Sequence, residues 1–109
     1  RKVRKMSVFE TDQIDTMGVV NGNLELLIID TCNWEFEDEH FDLLEDKLNN
    51  YLLYLDNKQY VAKYGDNFGK IIISIHFMYD LIEDAVKFLN VVSQQLAESG
   101  YTLHIHLPE

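Results

Sequence analysis

The chain has 109 residues and a formal net charge of −10, and 47% of it is hydrophobic, with six Phe, six Tyr and one Trp. That length holds one domain with a real core and little room for insertions, and that composition excludes a disordered chain. Acid in such excess repels nucleic acid and anionic membrane and attracts basic partners.

The charge is unevenly placed. Arg1, Lys2, Arg4 and Lys5 supply four of the nine basic residues. They read as a basic extension ahead of Met6, where MSVFE resembles an ordinary bacterial start, so the domain is expected over 6–109. From Met6 onward five Lys face nineteen Asp and Glu, a formal −14. Cys32 is the sole cysteine, which excludes an internal disulfide and favours a reducing compartment. No apolar run approaches the ~20 residues of a membrane-spanning helix. The first residues lack the apolar segment of a secretory signal. The expected location is the cytoplasm.

In chain order, residues up to Glu10 form a loose lead-in and Met17 to Val20 a short strand. Asn21-Gly22-Asn23 is a hairpin turn, because Asn and Gly tolerate the positive φ that tight turns require. Leu24 to Ile29 is the apolar return strand, ending at Asp30. Trp34 and Phe36 are expected to cover one end of the core.

The spacing then predicts a long amphipathic helix from Trp34 to Leu55, with Phe41, Leu44, Leu48, Tyr51, Leu52 and Leu55 on its inner face. Glu37, Asp38 and Glu39 complement the dipole of its first turn. Asp38, Asp42, Glu45 and Asp46 gather in one sector, with repulsive i,i+4 pairs at Asp38/Asp42 and Asp42/Asp46. Lys47, the only lysine in the helix, is placed on the far flank. Asn57 is the expected left-handed cap.

Lys58 to Gly69 is the least regular stretch, and it carries Tyr60, Tyr64 and Phe68. Lys70 to Met78 is the central strand. Asp80 with Glu83 resembles a capping box for a second helix reaching Ser99-Gly100, whose buried stripe is Leu81, Ala85, Phe88, Leu89, Val92 and Leu96. Tyr101 to Leu107 is the last strand, with Tyr101, Leu103, Ile105 and Leu107 inward. The order β-β-α-β-α-β predicts an α+β two-layer sandwich, a four-stranded mixed sheet with two helices on one face. Ile73, Ile75, Leu48, Leu52, Phe88, Leu89, Val92, Leu103 and Ile105 are its expected core.

No catalytic signature emerges. Cys32 lacks a spacing-fixed histidine, and Ser74, Ser93 and Ser99 stand in no nucleophile motif. Gly65 and Gly69 bracket no phosphate loop, since Lys70 opens a strand and not a helix. His76, His104 and His106 project from one sheet face, but no carboxylate accompanies them as a further ligand. The expectation is a protein without enzymatic activity, cofactor or metal.

Ile14-Asp15 with Gly18, Trp34 before an acidic turn, and Asp46 to Leu55 with its Lys47-Leu48-Asn49 and Tyr51 core resemble a family of short bacterial proteins known only as a domain of unknown function. That resemblance implies a fold and no activity. In size and charge the chain is also similar to the immunity proteins that neutralise bacterial nuclease toxins. The resulting expectation is an immunity or antitoxin-like protein whose acidic surface blocks a basic toxin, by its chemistry a nuclease. The contact residues would be Asp38, Asp42, Glu45, Asp46, Glu35, Glu39, Tyr60 and Tyr64. Neither nucleic acid nor membrane is expected as a partner. The alternative is a small homo-oligomeric domain, a homodimer for instance, of housekeeping or structural role.

Overall fold

A computed structural model describes residues 14–108; the basic stretch at 1–5 and the lead-in to Glu10 lie outside the described residues. The elements are β1 (Thr16–Val20), β2 (Asn23–Asp30), α1 (Glu37–Asp56), α2 (Val61–Tyr64), β3 (Ile71–Phe77), α3 (Glu83–Glu98) and β4 (Thr102–His106). The strands form one mixed sheet in the order β1-β2-β3-β4: β1 and β2 are antiparallel, and the other two pairings are parallel. Asn21 and Gly22 both take positive φ, 53° and 79°, which is the backbone of a type I′ hairpin turn. The expected α+β sandwich is the architecture found, with α2 added inside the stretch read as irregular.

One sheet face is apolar because the strands alternate. Leu24, Leu26 and Ile28 of β2 and Ile73, Ile75 and Phe77 of β3 are buried together with Leu44, Leu48, Tyr51 and Leu55 of α1 and Leu89 and Leu96 of α3. The two long helices touch each other through Phe41 and Phe88, whose ring centroids are 5.2 Å apart. α3 ends at a left-handed glycine. Gly100 has φ 88°, its N–H donates to the Ala97 carbonyl, and the Tyr101 N–H donates to the Leu96 carbonyl. This is the Schellman arrangement expected of Ser99-Gly100.

Several local expectations are corrected. α1 starts at Glu37 because the Asn33 side chain accepts the Glu35 N–H and turns the chain there. Phe36 is 66% exposed and covers no core, whereas Trp34 does pack inward. Asn57 is right-handed at φ −83°; Lys58, at φ 54°, makes the reversal. Asp80 caps nothing: α3 begins after an extended Ile82 with no side-chain cap. β4 is an edge strand with no neighbour on its outer side; Leu103 is only half-buried, and Ile105 and Leu107 are exposed at 38% and 50%.

Candidate binding surface and the polar groups beneath it

The α1 lysine is not on a flank but inside. Lys47 is fully buried, with its Nζ 2.7 Å from the Asp15 carboxylate, itself buried ahead of β1. Backbone chemistry explains the pair. The Leu24 N–H donates to the Lys70 carbonyl and the Met78 N–H to the Asp30 carbonyl. Even-numbered residues of β2 therefore turn their peptide groups to β3, and odd-numbered ones turn theirs toward β1. Beyond the Thr16↔Leu27 pair β1 gives out, and the Ile29 N–H needs a partner. Asp15 accepts the Ile29 N–H at 2.8 Å, and the Tyr51 hydroxyl donates to the Leu27 carbonyl while accepting the Asp15 N–H. One lysine, one aspartate and one tyrosine thus finish the sheet edge from within the core.

Burial, with the Asp15 charge adding to it, holds the Tyr51 phenol far above its ordinary pKa, despite an opposing hydrogen bond from the Asp15 N–H. Tyr101 is pushed up to about 12, first by burial and then by its 2.7 Å bond to Asp56. Phenols of the unfolded chain ionise near pH 10. Their contribution to stability is therefore complete below about pH 10 and is lost as pH rises through about 12, because the unfolded chain releases its protons first. Tyrosinate absorbance near 295 nm should show late, cooperative ionisation coinciding with loss of helical circular dichroism. Free-tyrosine behaviour near pH 10 with the fold intact would contradict this.

A second buried group lies at the other end of α1. Asp30 continues the inward series of β2, is fully buried, and accepts the Cys32 N–H at 2.9 Å. Its other oxygen lies 2.5 Å from His40 Nε2. Trp34 stacks on that imidazole at 3.8 Å. Trp34 Nε1 and His40 Nδ1 are buried without a hydrogen-bond partner among the described residues. Cys32, His40 and Asp30 do not form a nucleophilic triad. No bond links the thiol to His40 Nδ1, and burial followed by the charges of Asp30 and Glu39 pushes the thiol pKa up, away from thiolate.

Outward, every charged side chain of α1 is acidic. Glu35, Asp38, Glu39, Asp42, Glu45 and Asp46 are all exposed, and no ion pair engages them among the described residues. They do not form one patch. Glu39, Asp42 and Asp46 surround a shallow depression floored by Leu43. Glu45 leans the other way, onto a cleft of about 280 Å³ between α1 and α3 whose walls include Leu52, Phe88 and Val91.

The two loop tyrosines pack into the fold. Tyr60 is 3% exposed, packs on Tyr54 and Phe68, and donates to Asp66; Tyr64 is half-buried and donates to the Met17 carbonyl. Both rings help close the 58–69 segment over the core, Tyr60 buried and Tyr64 still partly open to solvent. On the open sheet face His76 and His106 stack at 4.1 Å, and the His76 pKa is lowered by burial and then by its neighbour, against Glu25. Among the described residues no group of three or more His, Cys, Asp or Glu is placed to hold a metal ion. No helix among them is long and apolar enough to cross a membrane.

A family model described as "Family of unknown function (DUF6572)" matches residues 6–109. The chain belongs to this family. No curated protein and no solved structure matches it. The two stretches that carried the family resemblance, around Asp15 and around Lys47 to Tyr51, meet in space at the buried ion pair. Membership in DUF6572 brings no activity with it.

Proposed function

We propose that this protein is a non-enzymatic inhibitor of the immunity or antitoxin kind, acting in the cytoplasm, whose acidic α1 surface covers the basic cleft of a toxin, a nuclease by its chemistry. What carries the reading is the placement of Lys47. The one cation of α1 is buried against Asp15, so nothing on the helix balances Asp38, Glu39, Asp42, Glu45 and Asp46 toward solvent. A nuclease cleft must be basic to hold phosphates, and an uncompensated acidic face gains fast encounter and competition with substrate.

The test is the double substitution Asp42→Lys with Glu45→Lys. A lysine at 42 gains i,i±4 partners in Asp38 and Asp46, so the isolated domain should be unchanged or slightly stabilised, by a few tenths of a kcal/mol. Protection by co-expression with a candidate toxin from the adjacent gene should fall, and association should slow and lose salt sensitivity. Full protection and unaltered association at two salt concentrations would remove α1 from the interface. A homo-oligomeric role is the second reading, favoured by the open edge of β4.

A further inference from the structure

The two edges of the sheet are finished differently. β1 is tied in by side chains: Tyr64 donates to the Met17 carbonyl and Tyr51 accepts the Asp15 N–H. At β4 the pairing register reads Ile73↔Leu103 and Ile75↔Ile105, and the even-numbered residues of β3 already bond β2. Parallel pairing then uses the peptide groups of Thr102, His104 and His106 and leaves those of Leu103, Ile105 and Leu107 pointing outward. No side-chain bond covers them among the described residues. Thr102 to Leu107 contains no Lys, Asp, Glu or Pro, the residues that ordinarily guard an exposed edge. Ile105 and Leu107 are exposed there as well.

Only one self-pairing register satisfies all three outward residues at once. With two copies antiparallel and Ile105 opposite Ile105 of the partner subunit, Leu103 meets the partner's Leu107, and the edges close into an eight-stranded sheet. In that register His104 and the partner's His106 are directly opposite at a non-hydrogen-bonded position, where side chains approach most closely. His76 stands behind His106, stacked on it at 4.1 Å. Imidazole is the ligand type that Zn²⁺ and its neighbours share.

We propose that β4 is a self-association edge and that the dimer it forms holds a divalent transition metal twice, each time between His106 of one copy and the partner's His104, and that His76 becomes a third ligand by turning out of its stack on His106. The site is incomplete in one chain, in keeping with the absence of a three-ligand group among the described residues. The edge also lies on the α3 side of the sheet, away from the acidic α1 whose Lys47 and Tyr51 pack at β1 and β2. The inference does not depend on the toxin reading.

Sedimentation of the full chain should be measured with ZnCl₂ and with EDTA. Zinc should tighten dimerisation by roughly tenfold or more, through metal bound to the dimer alone. His104→Gln or His106→Gln should abolish that zinc dependence while a weaker dimer persists. Ile105→Pro removes an outward N–H that β3 does not use, so it should give a monomer with unchanged circular dichroism. Should Ile105→Pro disturb the fold, Ile105→Lys, which guards the edge with a charge, should do the same. A monomer under all conditions, or a dimer indifferent to both Ile105 variants, overturns the edge. A β4 dimer that ignores zinc and both His104→Gln and His106→Gln overturns the metal site.

Discussion

Replacing Lys47 with Ala should destabilise the protein by about 3–5 kcal/mol, the usual cost of stranding one partner of a buried ion pair. Against a total of about 5–15 kcal/mol for a domain of ordinary stability, that leaves a marginal fold. Asp15 would keep the Ile29 N–H at 2.8 Å but lose the lysine at 2.7 Å, in a site with no access to water. The measurement is the urea midpoint at fixed m-value. The double substitution Lys47→Met with Asp15→Asn should recover much of the loss. Methionine fills the lysine's volume, and the asparagine oxygen still accepts from Ile29. A midpoint for Lys47→Ala within error of wild type would mean that the pair is not buried in solution as described.

Asp30→Ala should be nearly as damaging, by roughly 2–4 kcal/mol, since it orphans two buried groups at about 1–3 kcal/mol each. Those groups are the Cys32 N–H and His40 Nε2. Asp30→Asn should cost clearly less. Its oxygen can keep the Cys32 N–H, and its amide can donate to Nε2 once the imidazole moves its proton to Nδ1, which has no competing partner. The emission of Trp34, stacked on that imidazole, provides the denaturation curve at the site itself. Equal losses for the two variants would show that the tautomer is fixed by something other than Asp30.

The fold was legible from alternation and turn chemistry. The Asn21-Gly22 turn, the inward sets of β2 and β3 and the glycine stop at Gly100 all follow from patterns a few residues long. The buried polar groups were not, because a polarity pattern assigns lysine, aspartate and histidine to solvent before position is considered. Position carried the signal. His40, Leu44, Lys47 and Tyr51 step by four, three and four along α1, and Asp30 extends the series Leu24, Leu26, Ile28. What no local pattern could supply is that Asp15 lies opposite Lys47, a pairing 32 residues apart in sequence. The burial of Tyr60 was hidden for a related reason. Aromatics in an irregular stretch look available until the packing that closes the stretch is known. Ile105 erred in the opposite sense, since an inward position on an edge strand is buried only if a helix reaches it.

The strand order has a consequence for how the chain is made. Each strand's neighbour in the sheet is also its neighbour in sequence, from β1 through β4. As the polypeptide leaves the ribosome, every strand after β1 meets a partner already synthesised. The hairpin can form first. α1 then returns the chain to set β3 against β2, and α3 returns it again for β4. Growth is therefore vectorial, one crossover at a time, and the loops to be closed are those of the crossovers alone. Until β4 arrives, the exposed border of the nascent sheet is β3, whose isoleucine-rich run is prone to aggregate while unpaired. β4 is the strand that then covers it.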